Sequence, residues 1–232
     1  MSNQELSYTG LEILQTLTNA TRYNALLIAL ILEAANGTRK MVDFGAGIGT
    51  FSKLLRDRHM TVICVEPDPF LANTLTHDGF VTFLDLEAIS DGSVEFFFSL
   101  NVIEHIEDDE ATLRVLSRKL RGGGRLLIYV PAFSCLWTSL DVKVKHFRRY
   151  RRRELEELVH LSGLIVCRSR YVDALGFVAA LLFKLGGNKE GDLNPKLINL
   201  YDRYVIPMSK LLDHIFGRLF GKNVYVICEK AS

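Results

Sequence analysis

The sequence predicts an α/β protein, a mostly parallel sheet with helices on both faces, and two observations predict it. Short apolar runs of strand length alternate with helix-length periodic segments from residue 41 to residue 171. The first of these runs, Met41-Val-Asp-Phe44, enters a glycine-dense turn, Gly45-Ala-Gly-Ile-Gly49, and an acid, Glu66, closes the next run. Open parallel sheets bind ligands at such junctions, beyond the carboxyl ends of their strands.

The elements follow in order. Leu11, Leu14 and Leu17, then Tyr23, Leu26, Leu27, Leu30 and Ile31, recur at helical spacing and predict two helices broken near Asn19. Asn36-Gly37 stops the second, since both residues tolerate the left-handed conformation of a helix end. Strands are expected at 41–44, 61–65, 80–84, 94–98, 124–130 and 164–171, and helices at 49–57, 68–77, 109–120 and 151–162. A seventh strand, 224–228, follows about 50 residues that read mainly as helices.

With 232 residues the chain suits one domain. Its expected parts are N-terminal helices (1–40), a core (41–172), a late helical segment (173–222) and a last strand (223–232). Twenty-eight basic residues against 27 acidic ones give none of the basic excess of a dedicated nucleic-acid binder, so no nucleic-acid partner is expected. Cys64, Cys135, Cys167 and Cys228 lack Cys-x-x-Cys spacing and read as reduced; no metal centre is expected. The start of the chain has no basic-then-apolar leader, and Ala25 to Leu32 and Ala174 to Phe183 are shorter than the roughly 20 residues of a spanning helix. A cytoplasmic location is therefore expected.

Gly45, Gly47 and Gly49 let the backbone turn sharply and press its amides against a ligand. Glu66, at the tip of the neighbouring strand, faces the same crevice and can accept hydrogen bonds from two ribose hydroxyls. A dinucleotide fingerprint requires Gly-x-Gly-x-x-Gly, but here the third glycine comes one place early and Asp43 precedes the turn. A carboxylate there suits a cofactor carrying an amine better than one carrying a pyrophosphate.

The stretch Asp43-Phe-Gly-Ala-Gly-Ile-Gly-Thr50 resembles the first motif of class I S-adenosylmethionine-dependent methyltransferases, and further stations match in order over residues 41–170. Glu66 falls at the ribose-binding acid, with Pro67 beside it. Asp85, with Leu86, falls where an acid meets the adenine amine, and Ser99-Leu-Asn-Val-Ile-Glu-His105 resembles the segment lining the methionine end. Leu120-Arg-Gly-Gly-Gly-Arg-Leu-Leu-Ile128 resembles the turn and fifth strand that follow. The resemblance implies a Rossmann-like, seven-stranded sheet with an antiparallel last strand. It implies S-adenosyl-L-methionine as cofactor, bound by Asp43, Gly45, Ala46, Gly47, Gly49, Glu66, Pro67, Asp85, Leu86 and Asn101. His146-Phe-Arg-Arg-Tyr150, Thr21-Arg-Tyr-Asn24 and the closing Phe220 to Lys230 are similar to a subgroup often found beside polyprenyl-phosphate glycosyltransferases. That likeness implies O-methylation of a small-molecule or lipid-linked acceptor.

Candidate catalytic residues are His105, expected near the methyl group, His146, whose ordinary pKa suits proton removal, and Tyr150; the alternative for His146 is a purely structural hydrogen-bonding role. The alternative for Glu104 and His105 is a helix start facing solvent or a structural partner. Residues 143–153 carry seven positive charges and no negative one. A solvated face is one reading. The other is an anion pocket formed by His146, Arg148 and Arg149, with Tyr23 completing the substrate side. Arg151, Arg152 and Arg153 open a helix against its dipole, which suggests a compensating role. The large apolar residues of 173–222 offer a lid, a homodimer contact or a peripheral membrane contact. The rival functions are a non-catalytic partner subunit of the same fold, an RNA or protein methyltransferase, and a nicotinamide-type dehydrogenase.

Overall fold

The computed structural model describes Gln15, residues 18–185 and residues 199–232. The expected helix through Leu11, Leu14 and Leu17, and residues 186–198 of the late helical segment, lie outside the described residues.

Seven strands form one sheet: β1 (Lys40–Phe44), β2 (Thr61–Val65), β3 (Val81–Phe83), β4 (Val94–Leu100), β5 (Leu120–Pro131), β6 (Leu164–Val172) and β7 (Asn223–Lys230). Their order is β3-β2-β1-β4-β5-β7-β6. Strands β1 to β5 pair in parallel, with Asp43 opposite both Cys64 and Phe98. β7 inserts antiparallel between β5 and β6, as the resemblance implies.

The helices are α1 (Thr21–Ala35), α2 (Thr50–Arg56), α3 (Pro69–His77), α4 (Asp109–Lys119), α5 (Ser139–Lys143), α6 (Arg152–Leu161), α7 (Ala174–Leu185) and α8 (Ile206–Phe216). Their ends follow local chemistry. Asn36, at φ 49°, closes α1. Asp68 accepts hydrogen bonds from the N–H groups of Phe70 and Leu71 at 2.9 and 3.0 Å, with Pro69 in the first turn of α3.

The strand period of two splits β4 and β5 between two cores. Phe97, Leu126 and Ile128 face Leu113 and Leu116 of α4 and Leu155 and Val159 of α6. Phe96, Phe98, Leu127 and Tyr129 face Leu27 and Ile31 of α1, Leu55 of α2 and Leu75 of α3. Phe96, Phe97 and Phe98 keep no exposed surface, and each such burial contributes about 1.5–3 kcal/mol.

β5 begins at Leu120, earlier than the expected residue 124, because Arg121 to Gly124 form a bulged entry rather than a free turn. A Cβ on Gly124 would lie 2.9 Å from the carbonyl oxygens of both Val94 and Arg121.

The late helices leave the sheet after Val172 and return at Asn223, and these two residues pair. Asn223 also pairs with Pro131. The segment is therefore anchored at the carboxyl edge of β5 and β6, the edge that carries the glycine turn. Asp213 accepts from the N–H groups of Asp173 and Ala174, both at 2.9 Å, at the start of α7. Asp202 accepts from Arg22 and Tyr23 N–H at 3.0 and 2.8 Å, so a residue 180 positions away caps the first turn of α1.

Candidate active site

The glycine turn starts where β1 ends. Gly45, at φ +81°, and Ala46 donate their N–H groups to the carbonyl of Val65 at 2.8 and 3.2 Å, which lays the turn against the tip of β2. A Cβ on Gly45 would come within 2.3 and 2.7 Å of the Val102 methyls. Only glycine lets the turn approach the segment after β4 so closely. Gly47 N–H donates to Glu66 Oε2 at 2.7 Å, and Asp68 N–H to Glu66 Oε1 at 3.0 Å. Each carboxylate oxygen keeps a second lone pair, so the acid that fixes the turn can still receive two hydroxyls. Burial raises the Glu66 pKa against the pull of these two donors.

Asp43 lies beneath the turn, 4% exposed, accepting from Ser52 Oγ at 2.6 Å. Burial raises its pKa from the ordinary carboxylate value to about 7, with Ser52 opposing and Glu66 adding to the rise. The folded chain therefore holds this proton more tightly than the unfolded chain. The stability it contributes is full below about pH 4 and is lost as pH rises through about 7. In the absence of cofactor, Asp43→Asn is expected to flatten that part of the Tm-against-pH curve between pH 5 and pH 8. An unchanged slope would show that Asp43 stays ionised in the folded protein.

Glu66 N–H donates to Phe83 O at 2.9 Å, which draws the end of β3 toward the same crevice. Asp85 follows there, exposed, with Oδ1 accepting from Glu87 N–H at 2.8 Å, while Leu86 packs into the core and Pro67 is exposed. Asn101 follows β4 at φ 54°, its N–H donating to Tyr129 O at 2.7 Å. Its side-chain amide reaches the buried hydroxyl of Tyr23, whose pKa burial pushes up to about 12. The cofactor-binding candidates thus collect at the carboxyl ends of β1 to β4, and Tyr23 joins them beside Asn101.

A 3-10 turn, Ile103–His105, follows β4. The Glu104 backbone oxygen accepts from Phe147 N–H at 2.8 Å, which pins the basic segment to this turn. The rings of His105 and His146 meet edge to face at 4.6 Å. The Glu104 side chain has no exposed surface, and neither carboxylate oxygen has a hydrogen-bond partner. Burial pushes its pKa up to about 8. The solvent-facing alternative for Glu104 is thereby excluded. Burial, with His146 nearby, lowers His105 to about 4, although its ring also hydrogen-bonds to backbone at Val144 and Lys145.

Asp141 organises the basic segment. It is 1% exposed and accepts from Arg149 Nε at 2.7 Å and Nη2 at 3.0 Å, from His146 Nδ1 at 2.8 Å and from Thr138 N–H at 2.8 Å. Burial would raise its pKa, but these donors outweigh it and hold the carboxyl well below the usual range. Because Asp141 is ionised and can only accept, His146 carries its proton on Nδ1 when neutral, leaving the Nε2 lone pair 3.9 Å from Glu104 Oε1.

This geometry corrects three expectations. Arg149 and Arg148 do not form an open anion pocket: Asp141 takes the Arg149 fork, and Arg148 pairs with Asp109 at 2.8 Å. Tyr150 is 4% exposed and donates to Asp109 Oδ2 at 2.8 Å, with burial and Asp109 pushing its pKa far above the usual value, so it braces α4 and accepts no proton. The arginines opening α6 need no ligand to offset the helix dipole. Glu154 caps Arg151 N–H at 2.8 Å, and Glu156 pairs with Arg152 at 3.3 Å. Asp141 is not among the candidates the sequence suggests, although Thr138-Ser-Leu-Asp141 has the spacing of a capping box.

Residues 17–168 match the family described as Methyltransferase domain. No curated protein matches the sequence. Among solved structures, a possible histamine N-methyltransferase from Thermotoga maritima aligns with a TM-score of 0.62 at 15% identity, over 95% of this chain and 96% of that one. A putative sarcosine dimethylglycine methyltransferase from Galdieria sulphuraria aligns at 0.60 and 18% identity, over 91% and 86%. Geranyl diphosphate C-methyltransferase from Streptomyces coelicolor aligns at 0.61 and 14% identity, over 89% and 77%.

Proposed function

Because the chain belongs to the methyltransferase-domain family, with the class I fold and S-adenosyl-L-methionine as its cofactor, we propose that it methylates an oxygen of a lipid-linked acceptor drawn from an anionic membrane surface. The observation that carries this reading is the outer face of the late helices. Leu200, Tyr204 in the π-helical turn Tyr201–Val205, Met208, Leu211 and Ile215 in α8, and Leu219 just after it recur every three or four residues and are 54 to 71% exposed. Arg203, Lys210 and Arg218 flank them on the exposed side, whereas Asp202 and Asp213, the carboxylates between residues 199 and 222, turn inward to cap α1 and α7. Among the described residues of this segment, an apolar stripe flanked by these cations fits an anionic lipid surface. No described helix is long and apolar enough to cross a membrane.

The cofactor supplies a methyl group on a positively charged sulfonium, which a nucleophile displaces in line. This chain's residues prepare that event. Glu66 and the glycine turn fit the ribose, since Gly45 lets the turn pack against Val102 where a Cβ would clash, and Glu66 keeps free lone pairs beside Gly47. Asp43 and the backbone at Asn101 serve the amino-acid end. Tyr23, His105 and His146 border the acceptor side and hold its oxygen toward the methyl group.

Sedimentation with phosphatidylglycerol vesicles tests the membrane reading. Wild type is expected to co-sediment with these and not with phosphatidylcholine vesicles. Met208→Glu combined with Leu211→Glu should release it, while leaving the melting temperature within a few degrees. Equal recovery on both vesicle types, or on neither, would overturn the reading.

A further inference from the structure

We propose that Glu104, His105 and His146 form a binding site for one divalent transition-metal ion, of which zinc is the representative. This deepens the proposed function, since it adds a metal to the acceptor side of that site, but the arrangement stands on the three side chains alone. One donor atom from each residue lies within 4.8 Å of the other two. Two imidazoles and one carboxylate are a donor set suited to zinc, iron or nickel rather than to magnesium or calcium, which take oxygen ligands.

Two features point to a ligand. Glu104 is fully buried, with neither oxygen satisfied, in a position where a folded protein normally supplies partners. The residue's own N–H is near the carboxyl group without making a hydrogen bond to it. His146 is held by Asp141 through Nδ1 at 2.8 Å, so that Nε2 points its lone pair at Glu104. A carboxylate on the far nitrogen is how metal-binding histidines are oriented and made more basic. Arg149 and Thr138 brace that carboxylate in turn.

The three donor atoms, within 4.8 Å of one another, must draw together to hold one ion. Donors in a tetrahedral zinc site sit about 3.4 Å apart, whereas His146 Nε2 and Glu104 Oε1 are 3.9 Å apart. Three protein ligands would leave one position open. A hydroxyl of the acceptor bound there would lose its proton to water more readily, and the oxygen would then take the methyl group as the carbon–sulfur bond breaks.

The test is equilibrium dialysis of the full chain against Zn2+, with the visible spectrum of the Co2+ form as a second readout. The expected result is one ion per chain and a Co2+ spectrum of nitrogen and oxygen ligands. Glu104→Gln and His146→Asn should each weaken binding at least 100-fold. Glu104→Gln conserves shape, and its melting curve should match wild type without metal. S-adenosylhomocysteine titration of the same samples reads the cofactor site separately, so failure of one leaves the other measured. Absence of stoichiometric binding, affinity unchanged in both variants, or a thiolate-to-cobalt band from the exposed Cys135 or Cys167 would overturn the proposal.

Discussion

Glu66→Ala is expected to weaken S-adenosylhomocysteine binding on the order of 100-fold, the largest effect of any single side chain in the cofactor crevice. A hydrogen bond to a charged acceptor contributes roughly 1.5–3 kcal/mol, and in the proposed site this carboxylate would receive two ribose hydroxyls. The substitution also removes the acceptor for Gly47 N–H at 2.7 Å and for Asp68 N–H at 3.0 Å, so the turn itself loosens. A fall of about 1–2 kcal/mol in stability should accompany the loss of affinity. Glu66→Gln separates the two effects. It keeps one acceptor for the turn and should recover most of the melting temperature while binding the ligand poorly. Calorimetry well below the melting temperature measures the affinity. Wild-type affinity in Glu66→Ala would remove Glu66 from the ribose site.

Asp141→Ala is expected to cost more stability than any other polar substitution, about 3–5 kcal/mol, the range for breaking a buried ion pair from one side. Arg149 would keep its charge in a nearly closed environment, with Ala132 O at 3.2 Å as its remaining partner. His146 would lose the acceptor that fixes its ring, and Thr138 the one that starts α5. Replacing Arg149 with methionine in the same chain should recover part of the loss, because the stranded charge is then gone. Denaturant unfolding of the single and double variants measures this. A loss below about 1 kcal/mol for Asp141→Ala would mean that the segment holds together without its central acid.

The junction of the glycine turn with Glu66, the proposed cofactor crevice, was legible in the sequence because its determinants are local. Gly45, Gly47 and Gly49 lie within one turn, and Glu66 ends the very next strand, so spacing alone carries the geometry. Strand and helix positions follow from the same short-range periodicity, and the bulged start of β5 escaped because Gly122, Gly123 and Gly124 read as a free turn. The acceptor side was less legible because it is assembled across the fold. Seven positive residues and no negative one within 143–153 suggest an anion site. Two key partners, Asp109 and Asp141, are brought in from α4 and α5, outside that run. Glu104 meets His146 only because the 3-10 turn after β4 faces the loop before α6, a pairing that no sequence periodicity encodes. Asp202, which caps α1 from the far end of the chain, is invisible for the same reason.

Isothermal titration of the wild-type protein with S-adenosylmethionine and S-adenosylhomocysteine tests the central claim most directly. The account predicts saturable binding of both ligands at one site per chain, abolished or strongly weakened by Glu66→Ala. Folded protein that binds neither ligand would contradict it.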